Sequence, residues 1–179
     1  MDVNETAVAT EICYLVRCGI IPEVIRCKAT VTETIQRSEN VVVESPRGLQ
    51  LGTVIDYSQK APSSETEYSG TIQRVSSLED ERNAVRLQEE SEGEFADWCQ
   101  RIEQWKIDLQ LVEMERTLDG EKRILYVLND RGPECTKLAL QAAAAGLGAI
   151  EVQPVSSEGL VPPTSSGGGC GSGGCGCNH

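Results

Sequence analysis

The chain has 179 residues, of which 39% are apolar and only 4% aromatic, so any core must rest on Leu, Ile, Val and Ala. Its 28 acidic residues outnumber 16 basic ones, for a net charge of −12. That balance repels phosphate backbones and anionic lipid and disfavours direct nucleic-acid binding through a broad basic face. No apolar run approaches the ~18 residues of a membrane span. The start, Met1-Asp-Val-Asn-Glu5, lacks the basic-then-apolar order of a secretory signal, and a cytoplasmic location is expected. The eight cysteines then read as buried thiols or metal ligands rather than as disulfides.

Residues 1–10 are polar and expected to be flexible. Short runs rich in Val, Ile, Tyr and Thr follow at Ile12–Arg17 and Glu23–Thr30, separated by Gly19 and Pro22. Val41–Glu44 reads as another strand. Ser45-Pro-Arg-Gly48 supplies turn chemistry, with Pro fixing φ and Gly accepting a positive one. Leu49, Leu51, Thr53 and Ile55 then alternate with other residues at a period of two. Several short strands in close succession point to a small barrel or curled sheet. Lys60–Gly70 reads as a linker.

Thr71–Val75 is a further short strand. Ser76 with Glu79, or Ser77 with Asp80, offers a capping box, and a long helix is expected from there to about Trp105. Phe95, Trp98, Cys99, Ile102 and Trp105 fall at helical spacing in its second half, whereas its first half is mostly charged, with Ala84 and Val85 as contacts. Leu109–Arg116 and Lys122–Asn129 are strands joined through Asp119-Gly120, a strong hairpin signal. Gly132-Pro133 opens a second helix with Leu138, Ala139, Ala142 and Ala143 on its inner face; Gly146 and Gly148 stop it, and Ala149–Gln153 is a last strand. Strand–helix–strand–strand–helix–strand is the ferredoxin-like order, two helices on one face of a four-stranded antiparallel sheet. The expected fold class is therefore α+β: a β-rich N-terminal domain over 11–70, a ferredoxin-like βαββαβ domain over 71–155, and a Gly/Ser/Cys-rich tail over 156–179. The tail cannot bury enough surface to offset chain entropy and is expected to be disordered.

The tail carries the most unusual chemistry. Cys170, Cys175, Cys177 and the single histidine, His179, are four soft or borderline ligands close in sequence. Zinc, copper or an iron–sulfur cluster would each accept thiolates, and intervening glycines let the backbone wrap an ion. The spacing C-x₄-C-x-C-x-H matches no standard zinc module. Cys135, near the start of the second helix, and Cys13, Cys18 and Cys27 read first as packed structural thiols. Gly146-Leu-Gly148 follows a helix rather than opening one, so it is no phosphate loop. No Walker motif and no serine–histidine–aspartate constellation is present, and no enzymatic activity is expected.

Val41-Val-Val-Glu-Ser-Pro-Arg-Gly-Leu-Gln-Leu-Gly-Thr-Val54 resembles the V-V-V-E-x-x-R-G-x-x-x-G-x-V segment of YaaT-like proteins. The capped helix from Ser77, the Asp108–Met114 segment and the Tyr126 strand are similar to that family's PSP-one C-terminal domain. The resemblance implies a non-catalytic regulatory or adaptor subunit, partnered by other cytosolic proteins, in a complex tied to RNA processing or signalling. It marks Arg47, Gly48 and Gly52 as signature positions and candidate partner contacts, although turn geometry accounts for both glycines. Longer members continue into a second cysteine-rich segment linked to iron–sulfur clusters; here Gly167–His179 stands in its place.

Overall fold

The computed structural model describes residues 12–31, 34–59, 68–129 and 132–162. The expectations for 1–10, for most of the linker and for the end of the tail lie outside them.

Five strands form a closed barrel: β1 (Cys13–Cys18), β2 (Glu23–Ala29), β3 (Asn40–Ser45), β4 (Gly48–Ser58) and β5 (Gly70–Val75). Their order around the barrel is β1-β2-β5-β3-β4. Every neighbouring pair is antiparallel except β2 and β5, which run parallel with Ala29 opposite Ile72. Alternation along each strand sends one set of side chains inward. Tyr14, Val16, Cys27, Val41, Val43, Val54 and Ile72 make the barrel core.

The long helix α1 (Leu78–Gln104) leaves the barrel directly from β5. Of the two capping boxes offered by the sequence, the second is made: the Ser77 hydroxyl accepts the Asp80 N–H at 3.1 Å, and the Asp80 carboxylate accepts the Ser77 N–H at 2.9 Å. A second sheet follows, in the order β6 (Gln110–Arg116), β7 (Lys122–Leu128), β8 (Ala149–Ser156), β9 (Gly159–Leu160), with helix α2 (Pro133–Ala144) between β7 and β8. The Asp119-Gly120 hairpin forms as read, with Gly120 at φ +74°.

Trp98 and Ile102 of α1 and Leu138 and Ala142 of α2 pack with Leu111, Met114, Leu125 and Val127 of the sheet into a second core. Cys99 and Ala143, expected on inner faces, are exposed, as is Val85; Leu87 and Ser91 fill the buried side of the first half of α1 instead. β7 is buried on both faces, as its unbroken apolar run requires.

The ferredoxin-like expectation is wrong. The strand meant to open that unit belongs to the barrel, where Ile72 is fully buried and the strand fills the gap between β2 and β3. Without it both of those strands would present unpaired edges. The second sheet is not wholly antiparallel either, because β7 and β8 are joined through α2 and run parallel. Its fourth strand, β9, comes from residues assigned to the tail: Ser156 pairs with Gly159 and Val155 with Leu160. The molecule is mainly β, with nine strands and two helices among the described residues.

Candidate functional site at the barrel–sheet junction

The two helices cover one face of the second sheet, and the barrel meets the other. Ile124 and Tyr126 alternate with Leu125 and Val127 and so point away from the helices. The Tyr126 hydroxyl donates to Glu115 Oε1 at 2.6 Å, and Glu115 Oε2 accepts the main-chain N–H of Ile20, in the turn between β1 and β2, at 2.8 Å. A carboxylate on β6 thus holds a phenol of the same sheet and an amide of the barrel. Burial, and then the Glu115 charge, push the Tyr126 hydroxyl far above the usual phenol range, so it remains a donor at all ordinary pH values.

Arg47 lies in the β3–β4 turn, where Ser45 Oγ accepts its N–H at 3.2 Å and donates to Gln50 Oε1 at 2.9 Å. Its guanidinium bridges the two units, 3.0 Å from Glu23 of β2 and 3.8 Å from Glu151 of β8. With a side chain only 15% exposed and paired with both carboxylates, it is not a solvated turn residue. Gly48 is needed for two reasons. Its φ is +119°, and a Cβ there would come within 2.9 Å of Thr117 Cγ2. That close approach lets the Leu118 N–H donate to the Leu49 carbonyl at 2.6 Å, stitching the barrel turn to the β6–β7 hairpin. Gly52 is not a turn residue: it sits within β4, where a Cβ would stand 2.6 Å from both Cys18 Sγ and Val16 Cγ1. Arg47 and Gly48 therefore meet at the junction, while Gly52 serves the barrel interior.

Cys13, Cys18 and Cys27 are buried barrel residues. Burial pushes the Cys18 thiol up to about 12, with Glu115 and Glu23 adding to the shift and Arg47 opposing it; burial does the same for Cys27, also to about 12. Cys135 is buried in the first turn of α2, its sulfur 3.6 Å from Asn129 Oδ1. Among the described residues no group of three or more Cys, His, Asp or Glu side chains is arranged to hold a metal ion. Cys170, Cys175, Cys177 and His179 lie outside the described residues.

Glu23, Glu115 and Glu151 did not stand out in the sequence, and Tyr126 marked only a strand of the family resemblance. Their partners lie far along the chain, and only one signal was available: a glutamate on β6 beside a central strand whose tyrosine must satisfy its hydroxyl. Chemically, the junction is a set of polar and charged groups engaged with one another across the two units. No described helix is long and apolar enough to cross a membrane. Searches against family models, curated proteins and solved structures each find no match to this chain.

Proposed function

We propose that this chain is a non-enzymatic cytosolic regulatory or adaptor subunit of the YaaT-like kind, acting through protein–protein binding in a complex tied to RNA processing or signalling. The observation that carries the binding role is the outer face of α1. Leu78 and Val85, two turns apart and therefore on one side of the helix, are 62% and 59% exposed, and Val75, three residues before Leu78 at the end of β5, is also exposed. Two large apolar side chains in solvent on one side of the charged first half of α1 fit a partner that presents an apolar stripe. Of the two candidate binding surfaces, the first half of the long helix and the Arg47 turn, this exposed apolar face favours the helix.

The test is affinity purification of the tagged chain from its native cells, with the Leu78→Asp/Val85→Asp variant alongside. A stoichiometric protein partner is expected with the wild type and lost with the variant, at unchanged thermal stability. Recovery of no partner, or of the same partner by both, overturns the reading. A second reading, metal handling through Cys170, Cys175, Cys177 and His179, is favoured by that ligand cluster in the sequence. About one equivalent of zinc, copper or cluster iron, lost on truncation after Thr164, would support it; no metal in either form would remove it.

A further inference from the structure

We propose that the cleft between the barrel and α1 binds a small organic monoanion with an apolar body, a site separate from the partner surface and independent of the adaptor reading. The cleft has a volume of about 460 Å³, within the range of small-molecule sites. Strands β1, β3 and β4 of the barrel, the inner flank of α1 and the end of β6 close around it. Its apolar wall comes from Leu51 of the barrel, Ala84 and Leu87 of α1 and Leu118 of the hairpin. Arg17, Arg116 and Glu115 are the charged residues of its lining.

These charges are not equivalent. Both oxygens of Glu115 already accept donors, from Tyr126 and from Ile20. Arg116 is held by Glu94 and lies 3.8 Å from Glu90, and its Nε–H is buried with no acceptor. A slight turn of that side chain toward the cleft would give the Nε–H a ligand oxygen, relieving a cost of about 1–3 kcal/mol for an unmet buried donor. Arg17 projects outward from β1, opposite to the inward Val16 and Cys18, and its guanidinium has no acceptor among the described residues. In a protein of net charge −12, a guanidinium on a half-apolar cleft with no acceptor among the described residues is a binding element for a carboxylate or sulfonate. With Arg116 already paired to Glu94, Arg17 is the lining guanidinium left without an acceptor among the described residues, and a single guanidinium suits a monoanion better than a phosphate dianion.

The polar lining is preset. Asn40 accepts the Thr53 hydroxyl at 3.0 Å and donates to Glu81 at 3.1 Å, and Gln50 is fixed by Ser45, so little side-chain order remains to be imposed by a ligand. Because the cleft draws on the barrel, α1 and β6 together, an occupant would also clamp the two units.

The experiment uses 1-anilinonaphthalene-8-sulfonate, an apolar monoanion, as probe on the full chain. Its uncharged counterpart N-phenyl-1-naphthylamine serves as the control. Expected are saturable one-to-one binding by calorimetry, weakening about tenfold in the exposed-site variant Arg17→Gln, and much weaker uptake of the neutral dye. Amide shifts on titration should centre on Gly19, Leu51, Thr53 and Gln88. Absence of one-to-one binding, equal binding by Arg17→Gln or by the neutral dye, or shifts centred elsewhere overturns the proposal.

Discussion

Tyr126 donates its hydroxyl to Glu115 at 2.6 Å on the sheet face that meets the barrel, and the same carboxylate accepts the Ile20 N–H at 2.8 Å. One side chain therefore satisfies a buried phenol and a barrel amide together. The join between the two units depends on that carboxylate more than on either donor.

Removing the acceptor should accordingly cost more than removing one donor. Glu115→Ala leaves two donors unmet, and a loss of about 1–3 kcal/mol in urea-unfolding stability is expected. Tyr126→Phe deletes one donor and leaves Glu115 with Ile20, for a loss of about 1 kcal/mol. The order of the two variants is the test. If Tyr126→Phe proves the more damaging, packing around the ring and not the carboxylate holds the junction.

Gly52 offers a sharper prediction because the space for a Cβ is already occupied by two interior side chains. Gly52→Ala should destabilise by about 1–3 kcal/mol through overpacking. One of the two blocking atoms is Cys18 Sγ, so Cys18→Ala should relieve part of the strain. The double variant should be more stable than the sum of the single losses implies, with coupling of about 0.5 kcal/mol or more. Additive losses in a thermal-melt cycle would mean that β4 shifts away from β1 instead.

What could be read in the sequence divides along the range of the interactions. Elements fixed by local chemistry were legible: the Ser77–Asp80 cap, Pro133 at the first position of α2, the Asp119-Gly120 hairpin and the doubly buried run of β7. Pairing between distant segments was not. Nothing local in Thr71–Val75 says that it lies beside Cys27–Ala29 rather than beside the next hairpin, and this one choice turned a barrel strand into the supposed start of a ferredoxin-like unit. The last hairpin was missed because Pro154 and the glycines after it lower strand propensity, yet β9 needs only two residues to pair at the sheet edge. At the site, Arg47 and Gly48 were found through a motif, while Glu23, Glu115 and Glu151 looked like ordinary solvated charge. An isolated glutamate reveals its role only when its partner from another unit is in place.

The helix cap predicts a pH dependence with a definite sign. The Asp80 carboxyl is held well below its ordinary value of 3.8, at about 2, by the hydrogen bond from Arg74 first and then by the Ser77 N–H. A carboxyl depressed on folding contributes stability that is complete above the unfolded value and is lost as pH falls through the folded one. The contribution should fade between pH 3.8 and about 2. Asp80→Asn should flatten the stability–pH curve in that window and cost about 0.5–1 kcal/mol at pH 7, since an exposed pair adds little beyond the cap. A slope unchanged in the variant would assign acid sensitivity to other carboxylates, Glu94 between Arg116 and Arg123 being the next to replace.

Thiol labelling distinguishes the surface of α1 from the barrel interior by accessibility. Cys99 is exposed on α1, whereas Cys18 and Cys27 lie inside the barrel with thiols pushed up to about 12. At pH 8 such a thiol is ionised in only about one molecule in 10⁴, and burial keeps the reagent away as well. Iodoacetamide treatment of the native protein, followed by peptide mapping, should therefore modify Cys99 quickly and leave Cys18 and Cys27 protected. Their labelling should begin only as denaturant opens the barrel, because reaction requires an opening event whose free energy denaturant lowers. Gly52→Ala, which crowds Cys18 directly, should move that onset to lower denaturant while leaving the Cys99 rate unchanged. Rapid labelling of Cys18 in native buffer would mean that the barrel opens locally at β1, and the closed arrangement of β4 against β1 would then have to be revised.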